Sequence, residues 1–456
     1  MNILRQTCLA ALLAAVALPA AADRVAFEAL PDAGAVRLTL DAGLTAVVRW
    51  ADGTAEEVAF DGDLREIKLH SPAFSLETAG RIGYVVCPDN PLKAIDLSGA
   101  PYVKGVYAQN CRLEAFCPGV ATSLEVLHLS GNEGLAGVLP TLSLPALRFL
   151  GATDCALERL PDAQALPGLH ALWAWNNRLA AAPAAEAAGC EQVFLQNNRL
   201  TALAPSAALT TLSVAGNALR LLNLQRCDSL VTLDASDNQL RILVTSPAAA
   251  ATLRHFYVDG NSLTYADMPT LTDDAGGLRP QNVLLAPQKA VKLPAELAAD
   301  AAVSLSAHIG ANQWGKALSP EVVWTDAEAG VLVAGEDYLE KDDYGYVFLK
   351  NLTAVTATVS CAEYPGMTLA TTPMRVSAST TTAVGAVGGG GAGVSVAVSG
   401  HVLTVSTAAP AEVTVCGADG VLLRSGLLRG TWSRHLPAGI YIVNNRKFMV
   451  GAGLSD

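Results

Sequence analysis

The sequence predicts a mainly β chain built around a solenoid of short stacked repeats, and three observations carry that reading. A frame of Leu, two residues, Leu, one residue, Leu, two residues, then Asn or Cys, one residue and Leu recurs eight times through the middle of the chain. On both sides of it, apolar and polar residues alternate in short stretches broken by Gly, Pro and Asp-Gly pairs, the pattern of half-buried strands and tight turns. Of the 456 residues, 51% are apolar and only 16% charged, against ~25% charged in an average chain, so much of the protein has to be packed inside. At roughly 100–200 residues per domain, the length supplies about three or four domains.

The chain opens Met1-Asn2-Ile3-Leu4-Arg5, runs through an apolar stretch from Cys8 to Leu18 and reaches Ala20-Ala21-Ala22, the layout of a secretory signal peptide over residues 1–22. The stretch is shorter than the roughly 20 residues a membrane helix needs, and no second long apolar run follows. The mature chain is therefore expected to be exported, with no transmembrane segment. Export permits disulfides. Cys8 leaves with the signal, and several of the eight other cysteines fall where the repeat wants a small buried residue, so most are expected to be core thiols. Cys111 with Cys117 or Cys87 is the pairing worth testing. Residues 23–84 carry strand-like stretches at Val36-Arg-Leu-Thr-Leu40 and Val47-Val-Arg-Trp50, with turns at Asp52-Gly53 and Asp61-Gly62, and read as a small β cap.

The repeats occupy about residues 85–270. Their Asn-or-Cys position falls at Cys111, Asn132, Cys155, Asn177, Asn198, Asn217, Asn238 and Asn261, at spacings of 21, 23, 22, 21, 19, 21 and 23. One clear copy reads Leu124-Glu-Val-Leu127-His-Leu129-Ser-Gly-Asn132 and another Leu230-Val-Thr-Leu233-Asp-Ala235-Ser-Asp-Asn238. A short strand alternates sides, so its Leu positions face in and the residues between them face out. The Asn then turns the chain, its amide pairing backbone groups that the turn leaves open inside the stack; a Cys there is a weaker donor. This pattern resembles the leucine-rich-repeat family, with the short repeats of bacterial surface proteins such as the internalins. That resemblance implies a curved sheet with a concave binding face, and periods near 21 residues leave room only for short turns on the convex side. Leu92-Lys-Ala-Ile95-Asp-Leu97 falls off the period and reads as a half-repeat or an opening cap.

In each repeat the residue between the last two frame positions points out, giving Tyr107, His128, Gly151, Trp173, Phe194, Ser213, Asp234 and Tyr257 in order. Four of these eight are aromatic in a chain that is 5% aromatic. Phe149, Trp175, Gln192 and Gln196 lie beside them. Rings supply contact area and a polar rim supplies direction, so the candidate ligand site is Tyr107, His128, Phe149, Trp173, Trp175, Phe194, Gln196, Asp234 and Tyr257. The alternative is that the rings pack on one another or on a neighbouring domain. His128, His170 and His255 do not sit on adjacent repeats with carboxylates at ligand spacing, so no metal and no cofactor is expected.

The frame stops after Leu263. Residues 264–281, rich in Asp, Thr, Pro and Gly, read as a cap and a linker (271–281). From 282 to 378, short alternating stretches such as Val322-Val-Trp324 and Val355-Thr-Ala-Thr-Val359-Ser-Cys361 resemble an immunoglobulin-like sandwich, with Trp324 as its core ring and no cysteine to pair with Cys361. Glu336, Asp337, Glu340, Asp342 and Asp343 lack EF-hand spacing and read as a solvated hairpin. Residues 379–393, with four glycines in a row, read as a flexible linker. In 394–456, a strand, an Asp-Gly turn at Gly420, a strand and then Leu436-Pro437-Ala-Gly439-Ile-Tyr441-Ile-Val443 form a small β-sandwich that resembles the C-terminal sorting domain of type IX secretion cargo. The resemblance implies contact with that secretion machinery and a Gram-negative cell surface or extracellular location.

The net charge is −12 without long like-charge runs, so no basic stripe for nucleic acid or anionic lipid is expected. No nucleophile elbow, His-Glu-x-x-His, Walker loop or paired Cys-x-x-Cys occurs, and the assigned segments leave no stretch for an enzyme fold. The reading is a non-enzymatic protein of adhesion or recognition, taking a protein or peptide ligand on its concave face. A glycan-capture protein and a structural scaffold of the envelope are the alternatives.

Overall fold

A computed structural model describes residues 23–377 and 394–450, apart from short stretches at 120–121, 138, 140–141, 273–276, 299–300, 400, 418–421, 438 and 445. The signal peptide expected over residues 1–22, the linker expected over 379–393 and Gly420 lie outside the described residues. The chain divides into two compact units: residues up to 289 with 311–320 and 360–368, and 290–310 with 321–359 and 369 onward.

The first unit is a leucine-rich-repeat solenoid. Its parallel sheet has ten strands, running rung by rung through Tyr84–Val86, Gly105–Tyr107, Val126–His128, Phe149–Gly151, Ala171–Trp173, Gln192–Phe194, Thr211–Ser213, Thr232–Asp234, His255–Tyr257 and Asn282–Leu284. Three residues suffice for each strand because only the middle one faces in. Leu127, Leu172, Leu212 and Leu233 are fully buried there, and Val85 in the first strand and Phe256 in the ninth fill the same place. Eight of the ten rungs are those of the Leu frame. The first escapes it because Val85 and Cys87 stand where the frame has Leu, and the last because Gln288 replaces the turn Asn.

The turn residues join the rungs. Asn132 Oδ1 accepts from the N–H groups of Cys111 (3.0 Å) and Leu113 (2.9 Å), while its Nδ2 donates to the carbonyls of Ala108 (2.8 Å) and Leu129 (2.7 Å). Asn177 repeats that set on Cys155, Leu157, Ala152 and Ala174. Asn198, Asn217, Asn238 and Asn261 continue it, and Gln288 closes it by accepting from Leu263 N and donating to Val258 O. A thiol supplies only the donor half: Cys111 Sγ reaches Cys87 O at 2.9 Å and Cys155 Sγ reaches Leu129 O at 3.3 Å. Cys87, Cys111, Cys155, Cys190, Cys227 and Cys361 are buried free thiols; burial raises the Cys155 thiol to about 11 and the Cys190 thiol to about 12.

A second ladder runs one residue earlier. Asp89, Asn110, Asp154, Asn176, Asn197 and Asp237 take φ between 51° and 56° there, the region these short polar side chains tolerate, and Gly131, Gly216 and Gly260 serve three further rungs. Asn110 donates to Asp89 (2.9 Å), Asn176 to Asp154 (3.0 Å) and Asn197 to Asn176 (2.8 Å). Gly216 is needed twice over, since a Cβ would also meet Asn197 Oδ1 at 2.6 Å.

Behind the sheet the chain makes short 3-10 turns, one six-residue helix (Pro247–Thr252) and a separate two-stranded parallel sheet of Leu221–Leu224 with Ile242–Thr245. At the N-terminal end a six-stranded sheet covers the core. It includes Leu92–Gly99, paired antiparallel with Asp23–Ala29 and parallel with Ala115–Cys117, so the off-period segment is part of the opening cap. At the other end, Tyr265 is buried, stacked on Tyr364 at 5.5 Å, with its hydroxyl donating to Met367 O. Gln313 Oε1 accepts from Thr245 N, and Trp314 Nε1 donates to Thr245 O. Segments 311–320 and 360–368, which the sequence reading placed in the next module, thus close the solenoid.

In the second unit, one sheet holds Glu296–Ala298, Met374–Ser377, Leu352–Ser360, Glu321–Asp326 and Gly330–Val331, with Thr368–Ala370 on its side. A three-stranded sheet holds Ala302–Ser304, Gly345–Phe348 and Tyr338–Lys341. Trp324 of the first sheet is fully buried against Tyr346 and Phe348 of the second, each ring at 5.1 Å. The acidic cluster lies around the hairpin of Tyr338–Lys341 and Gly345–Phe348. The last strands, Val394–Ser399, Val402–Gly417, Leu422–His435, Gly439–Val443 and Arg446–Val450, form one antiparallel sheet. Its core holds Leu403, Val405, Val413, Val415, Leu428, Leu436 and Val443. The register shifts between Thr407 and Ala411, where Pro410 has no N–H to donate. Among the described residues no helix is long and apolar enough to cross a membrane.

Candidate functional site

Each rung of the long sheet turns three residues outward: the first and third of the strand and the second after it. Parallel pairing in strict register stacks these into columns. His128 lies between Tyr107 and Gly151, and Trp173 between Gly151 and Phe194. Phe149 sits in the first column, and Gln109, Trp175, Gln196 and Asp259 fall in the third.

Six of the rings form one cluster. Trp173 is its hub, with ring centroids 4.9 Å from Phe149, 5.7 Å from Trp175, 6.1 Å from Phe194 and 6.2 Å from His128. His128 in turn lies 5.6 Å from Phe149 and 6.5 Å from Tyr107. Most of these contacts are edge-to-face, the arrangement favoured by ring quadrupoles. Gly151 makes the cluster possible, because a Cβ there would meet His128 Cδ2 at 2.5 Å and Phe149 Cε1 at 3.1 Å. All six side chains are half-buried, so each keeps part of its surface open.

Polar atoms punctuate the rings. Gln109 Nε2 lies 2.6 Å from His128 Nδ1; an amide nitrogen can only donate, so Nδ1 accepts and the neutral ring carries its proton on Nε2. Burial holds the imidazole below its usual pKa. Gln109 Oε1, Trp173 Nε1, Gln196 Oε1 and Asp259 Oδ1 are buried atoms without a hydrogen-bond partner in the protein. Such atoms are costly unless water or a ligand completes them.

Tyr257 stands apart from the cluster, separated from Phe194 by the rungs of Ser213 and Asp234. Asp234 is engaged locally, accepting from Ser213 Oγ at 3.2 Å and from Ser236 Oγ at 2.7 Å. Next to it, burial and then the nearby Asp237 and Asp234 raise the Asp259 carboxyl above its usual range. The candidate residues therefore fall into an aromatic half, rungs two to six, and a polar half around Asp234, Asp259 and Tyr257. Gln109 and Asp259 belong to this face and were not picked out from the sequence; their position two residues past the outward residue of each repeat would have found them. Among the described residues no group of three or more His, Cys, Asp or Glu is placed to hold a metal ion.

No protein-family model matches the chain, and no curated protein matches it. Among solved structures it is similar to YopM from Yersinia enterocolitica WA-314, with 25% identity, a TM-score of 0.34 and a match covering 40% of this chain. That match spans only 38% of the YopM chain. InlP of Listeria monocytogenes is similar at 15% identity over 62% of this chain and 83% of that one, TM-score 0.37. The functional domain of InlJ from Listeria monocytogenes, which includes a cysteine ladder, is similar at 13% identity over 65% of this chain and 86% of that one, TM-score 0.25. All three scores are below 0.5, so the solenoid assignment rests on this chain's own ten rungs and turn ladder.

Proposed function

We propose that this is an exported, non-enzymatic recognition protein of the bacterial surface or surroundings, which takes a protein ligand on the outer face of the long sheet. The observation that carries the reading is the half-open cluster of Tyr107, His128, Phe149, Trp173, Trp175 and Phe194, flanked by buried polar atoms with no partner in the protein. Aromatic anchors beside unsatisfied polar groups are what a protein interface uses for energy and orientation. Gln196, Asp234 and Tyr257 extend the footprint along the sheet. The rings spread over rungs two to six, a footprint wider than a sugar stacked on one indole needs, which favours a protein ligand.

Under the same reading, the sandwich around Trp324 is an immunoglobulin-like spacer, and residues 394–456 are a sorting module for type IX secretion. The buried ring between two sheets supports the first. The Leu436-Pro437-x-Gly439-x-Tyr441 segment leading into a terminal hairpin supports the second.

The test is binding of the purified mature chain to extracellular-protein and glycan arrays beside the Trp173→Ala, Trp175→Ala double variant. Saturable protein binding that falls at least tenfold in the variant is expected. Saturable glycan binding lost in the variant would replace the protein ligand by a sugar. No saturable binding, or equal binding by the variant, would leave the rings as packing and bring forward the envelope-scaffold reading.

A further inference from the structure

The sequence contains no run of basic residues, yet the solenoid sets arginines on four successive rungs. Arg178, Arg199, Arg220 and Arg241 fall on these rungs as two pairs. Arg220 and Arg241 stand three residues past their ladder asparagines rather than one, so the second pair is offset by two residues from the first, and Ala218, whose N donates to Leu200 O, is the residue level with Arg199. Arg178 and Arg199 both follow directly on a ladder asparagine of adjacent rungs. Arg220 and Arg241 precede the paired strands Leu221–Leu224 and Ile242–Thr245, with Arg241 N donating to Arg220 O at 3.0 Å. All four side chains are exposed, and among the described residues none forms an ion pair. Like charges on neighbouring strands oppose folding, so two such pairs in tandem without a counter-charge are poised for an external anion. With rungs ~4.8 Å apart, the two offset pairs place four cations on a diagonal that covers about 15 Å along the solenoid, a length suited to a chain of anions rather than a single ion.

The surface beside the arginines narrows the ligand. Leu221 and Ile242, opposite each other in register, are 47% and 46% exposed, an aliphatic shelf in a sheet separate from the ten-stranded one. It offers C–H contacts to a sugar ring but no aromatic platform for stacking bases. Arginine forks pair with carboxylate or sulfate oxygens through parallel N–H donors.

We propose that these two arginine pairs are a second binding site, for an acidic polysaccharide, independent of the aromatic face. The test titrates the full chain with oligogalacturonate (carboxylate) and a heparin oligosaccharide (sulfate) at low salt, with dextran as the neutral control and single-stranded DNA as the other class of polyanion. Saturable binding to at least one acidic glycan is expected, weakening steeply with added salt as counterions compete. It should fall at least tenfold in Arg178→Gln, Arg199→Gln, Arg220→Gln, Arg241→Gln, while Trp173→Ala, Trp175→Ala leaves it unchanged. Should the quadruple variant fail to fold by circular dichroism, each double variant, R178Q/R199Q and R220Q/R241Q, is expected to lose part of the affinity. The proposal is overturned by absence of saturable binding to both glycans, by binding that survives in these variants, by equal competition from dextran, or by DNA binding as tightly as the glycans.

Discussion

At the scale of single residues, the turn position decides how well each rung is tied to the next. Asn177 makes four buried bonds with both halves of its amide, whereas Cys155, at the same place one rung earlier, bonds only carbonyls. Asn177→Ala removes those bonds and strands their backbone partners in the core, so a loss of about 2–4 kcal/mol is expected in urea unfolding. Cys155→Asn restores the accepting oxygen that a thiol lacks and is expected to stabilise by about 1 kcal/mol. A loss below about 1 kcal/mol for Asn177→Ala, or destabilisation by Cys155→Asn, would mean that packing of the Leu rows alone holds the coil.

At the scale of elements, the strand faces set the behaviour of the aromatic cluster, and His128 gives it a pH dependence. Burial lowers this imidazole below 6.5, so the folded state disfavours the proton that the unfolded chain accepts. The full contribution of the neutral ring is present above the unfolded value of 6.5; it declines as pH falls through that value and is lost once the folded ring protonates. An imidazolium beside Trp173 also quenches the indole. A fluorescence titration is therefore expected to show an inflection below pH 6.5 in the parent chain and none in His128→Gln; the same inflection in both would place the titrating group elsewhere. Much of this face was legible in the sequence, because strand alternation puts Trp173 and Phe194 outward wherever Leu172 and Val193 point in. The close packing was not legible: it depends on Gly151, which the repeat pattern alone reads as an empty position. The second ladder was overlooked although its signal is plain, since Gly, Asn or Asp precedes nearly every turn residue. The end rungs were missed for a different reason. Val85 with Cys87, and Gln288, satisfy the same inward packing and the same backbone groups with residue types outside the Leu and Asn frame.

At the scale of the whole molecule, a coil whose rungs touch only their neighbours should tolerate loss of one complete period and not of part of one. Deleting residues 178–198, a span of 21, joins Asn177 to Arg199. It removes the strand Gln192–Phe194 and one ladder asparagine and leaves every remaining turn residue facing the rung before it. Deleting only residues 178–187 would instead drive the inward row of one rung into solvent, because alternation within a three-residue strand allows no half-step. The full-period variant is expected to keep its β circular dichroism and a cooperative solenoid transition. Its urea dependence should be reduced roughly in proportion to one rung of ten. The partial deletion is expected to lose that transition. Removing Phe194 with its rung would also bring Ser213 next to Trp173, trimming the cluster without dispersing it. Equal disruption by both deletions would show that the N-terminal cap and the 311–320 and 360–368 loops fix the coil as a single cooperative body, rather than as a stack that grows and shrinks by whole rungs.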